Sequence, residues 1–382
     1  CSGSSYVRCH YTFGMRVLML SKALVVGAYQ LKLERLAALG LDLHVAVPPN
    51  WAGQSLERVH TAGYTLHVTP IVLDGNFHLH FYPRFEALAQ KLRPDLIHID
   101  EEPYNLSTWL AWRAARAVDA RSVFFSWQNL ARRYPPPFAW MERAVLAGVD
   151  GALVGNLEAE TVWRGKGFTG PIAVVPQFGV DVERSTPPDA VPVGSQRPFT
   201  IGYAGRFVPE KGVDVLLLAL QQAQEIRLRL IGTGPERRLY EHLIETCGLR
   251  ERVTIENPRP STEMAGFYRE LDALVLPSRT RPNWKEQFGR VVTEAMSCGV
   301  PAVVSDSGEP QHLIAADSDS PAGLRFPEDD VEALAACLQR LRDDPTLRAQ
   351  LSAAARARAL ATYSMQGVAE ATARFYRQVV GG

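Results

Sequence analysis

One rhythm constrains this chain more than anything else. Short apolar, β-branched runs alternate with longer amphipathic stretches from residue 16 onward, halt at a proline-rich break, and then start again. That alternation predicts βαβ units built on parallel sheets. In the first half strands are expected at 16–20, 43–47, 95–99, 122–125, 151–155 and 172–175, and in the second at 200–204, 228–232, 252–256, 273–277 and 301–305. Residues 328–361 carry helical spacing and a last helix is expected over 365–379. The fold class is therefore α/β, with two doubly wound, Rossmann-like domains facing a central cleft.

The break, 181–198, holds four prolines among Ser, Gly and Asp, the composition of a linker. Length agrees, because 382 residues at roughly 150 per domain suggest two domains. The expected division is a first domain over 15–185, a linker over 186–198, a second domain over 199–363, and a C-terminal helix, 364–382, that crosses back to the first domain. Residues 1–14 are read as an extension outside the fold.

Apolar residues make up 46% and charged residues 21%, which excludes disordered, collagen-like and coiled-coil chains. Lys+Arg 41 balances Asp+Glu 41, so no net charge argues for nucleic acid as a partner. The five cysteines, at 1, 9, 247, 298 and 337, form neither a disulfide framework nor a metal-ligand spacing. No metal is expected. With no apolar run of about 18 residues and no secretory h-region, a cytoplasmic location is expected.

Open α/β sheets bind ligands beyond the carboxyl ends of their strands, so chemistry belongs in the loops there. After 200–204 comes GRFVPEKG, which sets Arg206 and Lys211 between Gly205 and Gly212 at the mouth of a helix. Two cations at a helix start suit a diphosphate, and the same residues also suit a solvated basic loop. After 228–232, Gly232-Thr233-Gly234 lets backbone N–H groups approach a ligand closely. Arg237 stands where a dinucleotide fingerprint needs its third glycine, which argues against a dehydrogenase.

The stretch 286–301, EQFGRVVTEAMSCGVP, is the most informative. Val292, Ala295, Met296 and Gly299 mark the buried stripe and stop of a short helix starting near Gly289. Glu286 lies in the loop before it, with Phe288 and Gly289 offering N–H groups, and Glu294 lies in the second turn. Two carboxylates so placed can accept from hydroxyls at two parts of one ligand, as in a sugar nucleotide. They equally fit a helix-start acid and a surface glutamate.

In order and spacing, GYAGRFVPEKG, LIGTGP, LVLPS and EQFGRVVTEAMSCGVPAVVS resemble the donor half of retaining GT-B glycosyltransferases, the family 4-like group with an E-x7-E stretch. The resemblance covers roughly residues 16–380. It implies a nucleoside diphosphate sugar as donor, with no further cofactor. Arg206 and Lys211 would hold its diphosphate and Glu286 its sugar hydroxyls, these three forming the catalytic set. Phe288 and Gly289 would approach sugar and phosphate and Glu294 the ribose, with Gly27, Gln128, Gly205, Gly232, Gly234, Gln287 and Arg290 completing the donor-binding set. The first domain departs from the pattern. Its loop SKALVVGAYQ has Gly27 alone where the family shows a Gly-Gly turn, and Gln128 stands near the family's histidine.

Asp100, Glu101 and Glu102 follow a strand at the cleft edge, either to position or deprotonate an acceptor or as an acidic turn before a helix capped by Asn105. His98, inside that strand, reads as a core histidine. Arg132, Arg133, Tyr134, Phe138 and Trp140 form a basic and aromatic patch that suits either peripheral membrane contact or a packed loop. The function expected is transfer of a hexose to a sugar, lipid-linked or small-molecule acceptor with retention, in surface polysaccharide or glycolipid synthesis. A nucleotide-sugar 2-epimerase or hydrolase and a catalytically inactive nucleotide-sugar binder share the architecture.

Overall fold

The computed structural model describes residues 14–187 and 197–381. Most of the expected extension, 1–13, and most of the expected linker, 188–196, lie outside the described residues.

The first sheet contains β1 (Arg16–Leu20), β2 (Asp42–Val47), β3 (Thr65–Val68), β4 (Leu96–Ile99), β5 (Arg121–Ser126), β6 (Gly151–Val154) and β7 (Ile172–Val174). Their spatial order is 3-2-1-4-5-6-7, and every pairing is parallel. The second contains β8 (Phe199–Ala204), β9 (Ile226–Ile231), β10 (Val253–Glu256), β11 (Ala273–Leu276), β12 (Ala302–Ser305) and β13 (Gly323–Phe326), ordered 10-9-8-11-12-13. Both sheets thus reverse direction once, between β1 and β4 and between β8 and β11. Ligands bind at such switch points because the loops on either side diverge and leave a crevice.

Central strands read as unbroken apolar runs because helices cover both faces of a parallel sheet; β11 (ALVL) and β12 (AVVS) are buried along their whole length. Two edge strands escaped the sequence reading. β3 (TLHV) is exposed at both ends, and β13 (GLRF) carries Arg325 toward solvent, so neither shows the apolar run that marks the others. The helical stretch after 328 divides into Val331–Asp343 and Pro345–Arg358, because Pro345 has no N–H for the first helix while Asp344 accepts from Leu347 N at 2.8 Å and caps the second.

The helix Met365–Gly381 lies on the first sheet. Val368, Ala369, Ala373, Phe375 and Tyr376 are buried with Val17, Leu33 and Leu43. Tyr376 Oη sits 2.5 Å from His98 Nδ1, and burial, joined by Lys32, holds that imidazole neutral by pushing its pKa well below the usual value. His98 is a core histidine. The chain therefore ties its end to the domain where it began. Among the described residues no helix is long and apolar enough to cross a membrane.

Candidate active site

The loops at the second sheet's switch point converge on Glu286. Gly212 ends the turn Pro209–Lys211 at φ 64° and starts the helix Val213–Gln222; a Cβ there would stand 2.0 Å from Pro277 O, so only glycine lets the two loops meet. That contact brings Lys211 from one loop into an ion pair with Glu286 from the other. Ser278 Oγ donates to the same carboxylate at 2.8 Å, and Trp284 lies under the Lys211 ammonium with 5.0 Å to its ring centre. Glu286 is buried.

Gly289, at φ 77°, turns the chain into the helix Arg290–Ser297. Val292, Ala295 and Met296 form its buried stripe, and Gly299, at φ 73°, ends it with Val300 N donating back to Ala295 O at 2.9 Å. Among the described residues the N–H groups of Phe288 and Gly289 donate to no other group. They lie at the positive end of the helix, two and three residues after Glu286. Arg206 is the outlier. Its side chain is 68% exposed and among the described residues pairs with Glu210 alone, at 3.9 Å.

Glu294 is fixed by two partners: Tyr268 Oη donates to Oε2 at 2.8 Å, and Arg290 Nε lies 2.8 Å from Oε1. Arg290 also reaches across the cleft to donate to Tyr29 Oη at 2.8 Å. Tyr268, Arg290 and Glu294 line a small recess that includes Ala28 and His60 from the first domain and Ser261 from the loop after β10. Sequence reasoning missed Tyr29, Tyr268 and Ser278. Only Ser278, at the end of the LVLPS strand, carried a positional signal.

Four of the residues expected at the donor give their polar groups to other partners. Gly205 N and Gly232 N donate to Ile231 O and Glu256 O, at 3.0 and 3.3 Å, so these glycines extend the ladder instead of offering free N–H groups. Their lack of a side chain is a packing need, since a Cβ on Gly232 would lie 1.9 Å from Gly205 O and one on Gly234 2.2 Å from Phe207 O. Gly27 N donates to Glu57 Oε2 at 2.7 Å within its own domain. Gln128 likewise spends its amide internally, on Leu130 O at 3.0 Å and from Tyr134 Oη at 3.2 Å.

The acidic triplet divides by environment. Asp100 is buried and accepts from Ser21 Oγ at 2.5 Å and Gln177 Nε2 at 2.9 Å. Glu101 is buried too; burial opposes its charge, but Lys22 and then His80 outweigh that and hold it below the usual range. Both are buried and held by partners of the first domain, Ser21 and Gln177 for the one and Lys22 and His80 for the other. Asn105 begins the next helix with no side-chain cap, its amide turned toward Glu101 at 3.5 Å. Glu102 differs. It accepts from Ser126 Oγ at 2.6 Å and Trp127 N at 2.8 Å, burial pushes it up to about 7, and it lines an open recess between the domains.

The first domain grips the Glu286 loop through its backbone carbonyls. Arg132 donates to Asn283 O at 2.7 Å, Asn129 to Glu286 O at 3.3 Å and Asn156 to Gln287 O at 2.9 Å, while Gln287 Nε2 returns a bond to Trp127 O at 2.9 Å. Lys285 pairs with Glu158 across the same seam. The carboxylate that touches Lys211 is thus placed by both halves of the molecule.

Two facing Rossmann-like domains, each built on a parallel sheet, are the architecture of the GT-B class. The family described as glycosyl transferases group 1 matches residues 190–358, and the one described as glycosyl transferase 4-like domain matches residues 28–177. A D-inositol 3-phosphate glycosyltransferase of Xylanimonas cellulosilytica is 34% identical over 72% of this chain and 70% of its own length. The lipopolysaccharide core biosynthesis glycosyltransferase LpsD of Rhizobium meliloti is 31% identical over 64% of this chain and 72% of its own. Among solved structures, sucrose-phosphate synthase from Thermosynechococcus elongatus shares the fold with a TM-score of 0.71 at 21% identity, covering 96% of this chain and 99% of that one. Anabaena HepE in complex with UDP does so with a TM-score of 0.72 at 19% identity, covering 95% and 100%. The chain belongs to the group 1 glycosyltransferases, and it is a glycosyltransferase of GT-B fold.

Proposed function

We propose that the protein transfers a hexose from a nucleoside diphosphate sugar to an acceptor hydroxyl with retention of configuration and without a metal ion. The observation that carries this reading is the Lys211–Glu286 pair, followed in the same loop by the N–H groups of Phe288 and Gly289, which donate to no described group. A diphosphate entering there meets one fixed cation and a helix start, and Arg206, solvated and unburdened by a close partner, is free to swing onto it. Those charges meet the electron pair that leaves with the diphosphate, which is the stabilisation a metal supplies elsewhere. Once Lys211 turns to phosphate, Glu286 keeps Ser278 and is released to hold donor hydroxyls. Glu294, set by Tyr268, would take the ribose.

The solved HepE structures hold UDP and UDP-glucose, which favours a uridine donor as the first trial. The name of the LpsD relative supports an acceptor in glycan or glycolipid assembly. We place the enzyme at the cytoplasmic side of the membrane, where Arg133 and Trp140, the last 60% exposed, would give peripheral contact. Proton NMR of the product formed from an α-linked donor tests the reading: an α-linked product is expected, and a β-linked one overturns retention.

A further inference from the structure

Lys211 stands at the end of the turn Pro209–Lys211, and one buried side chain of a neighbouring loop holds that turn. Arg279 follows β11, one residue beyond Ser278. Its backbone N–H donates to Glu210 O at 2.9 Å, its Nη1 to Pro209 O at 3.3 Å and its Nη2 to Asp214 Oδ2 at 2.9 Å. Its Nε lies 2.7 Å from Asp329 Oδ1. We propose that Arg279 is a positioning residue of the donor site, acting through Lys211 by fixing the turn that carries its ammonium. The inference rests on the function proposed above and adds to it a residue outside the donor-binding set.

Each contact bears on the path of that turn. Pro209 O and Glu210 O are the two carbonyls just before Lys211, so holding both sets the direction in which the chain delivers the next residue. Asp214 lies in the first turn of the helix Val213–Gln222, which begins directly after Gly212. Arg279 therefore grips the segment on both sides of Lys211. From the far side Asp329, after β13, takes φ 61°, a backbone that a residue with a Cβ adopts only at a cost. Beside it Glu328 accepts from Thr280 N at 2.6 Å, so the loop after β13 clasps residues 279 and 280 together. The loops after β8, β11 and β13 thus meet on one guanidinium.

Arginine suits this place and lysine does not. A guanidinium presents five N–H groups in a flat fork, whereas an ammonium is a compact charge on a flexible stem. Two carboxylates, Asp214 and Asp329, balance the Arg279 charge, which sets it apart from the exposed Arg206. Its effect on a ligand is therefore indirect. An ammonium carried on a fixed turn has less freedom left to lose when a diphosphate arrives, and binding is tighter by that difference.

The test uses the full chain and titrates whichever of UDP, GDP and ADP binds it, in a double-variant cycle with Lys211→Ala. Arg279→Lys keeps the charge and loses the fork. It should weaken the nucleotide about fivefold in the otherwise wild-type chain and by no more than about twofold in the Lys211→Ala background. Asp214→Asn is the second variant, should Arg279→Lys fold poorly. On charge alone, removing a carboxylate close to the Lys211 turn tightens an anion, whereas loosening the turn weakens it. Binding about threefold weaker, with the loss again vanishing beside Lys211→Ala, is expected. Losses of equal size in both backgrounds would make Arg279 a support of the fold alone and overturn the proposal. Unchanged binding by Arg279→Lys, or tighter binding by Asp214→Asn, overturns it as well. A wild type that binds none of the three nucleotides would instead sink the donor reading beneath it.

Discussion

Arg290 donates to Tyr29 Oη at 2.8 Å, joining the helix that carries Glu294 to the loop after β1 across the whole width of the cleft. Tyr29 is itself held flat on Phe178, 4.1 Å away, so the hydroxyl is aimed by the segment that leads out of the first domain. Arg290 also lies over the Tyr29 ring at 5.0 Å. Closure of the cleft and placement of Glu294 are thereby mechanically linked.

Tyr29→Phe should weaken that link while keeping the ring stack. Losing a hydrogen bond to a charged group costs about 1.5–3 kcal/mol when nothing replaces it, and Glu294 remains as a second partner for Arg290. Donor KM is therefore expected to rise about fivefold with kcat within a factor of two. Steady-state kinetics at saturating acceptor decides it.

Glu309 lies buried in the seam, where its carboxylate accepts from Leu157 N at 3.3 Å and its own N–H donates to Glu286 O at 3.2 Å. Burial pushes it up to about 8, with Glu158 adding to the shift. The folded protein holds a proton that the unfolded chain releases above its ordinary carboxylate pKa, so stability falls as pH rises from about 4.5 to about 8, by up to about 1.4 kcal/mol per unit. Glu309→Gln lacks that loss. Its melting temperature should match wild type near pH 4 and exceed it by a margin that grows to a plateau above pH 8; melting curves across this range check the trend.

Gly308, at φ 66°, lies against the Glu286 backbone, and a Cβ there would stand 2.1 Å from Glu286 O. Gly248, at φ 68°, has nothing within 4 Å of the same atom. Both alanine variants bear the left-handed strain of about 1–2 kcal/mol. Only Gly308→Ala should also displace the Glu286 carbonyl from Asn129 and cut kcat more than tenfold. Parallel thermal melts and rate measurements on the two variants separate strain from displacement.

The second domain was the more legible half. Strands β11 and β12 are apolar because they are covered on both faces, and Gly212, Gly289 and Gly299 mark turns that the φ values require. Lys211 and Glu286, read as parts of one donor site from two separate loops, form an ion pair. Edge strands β3 and β13 were hidden because exposed residues, Thr65 and Val68 in the one and Arg325 in the other, break the apolar run that marks a strand covered on both faces. In the triplet Asp100, Glu101 and Glu102, sequence could not tell which carboxylate stays open. That depends on Ser21, Lys22, His80 and Gln177, residues up to 79 positions away that reach the site only through the sheet order. Tyr29 was equally silent, because its partner Arg290 is 261 residues distant.

The central claim is that a nucleoside diphosphate docks on Lys211 and Arg206 at the start of the helix Arg290–Ser297. Isothermal titration of UDP, GDP and ADP into wild type and into the double variant Arg206→Ala, Lys211→Ala tests it most directly. At least one nucleotide should bind wild type one to one and bind the variant about 30-fold or more weakly, in line with two charge-assisted hydrogen bonds at about 1.5–3 kcal/mol each before compensation by water. Equal affinity of that nucleotide for both proteins, with the variant folded, would contradict the account.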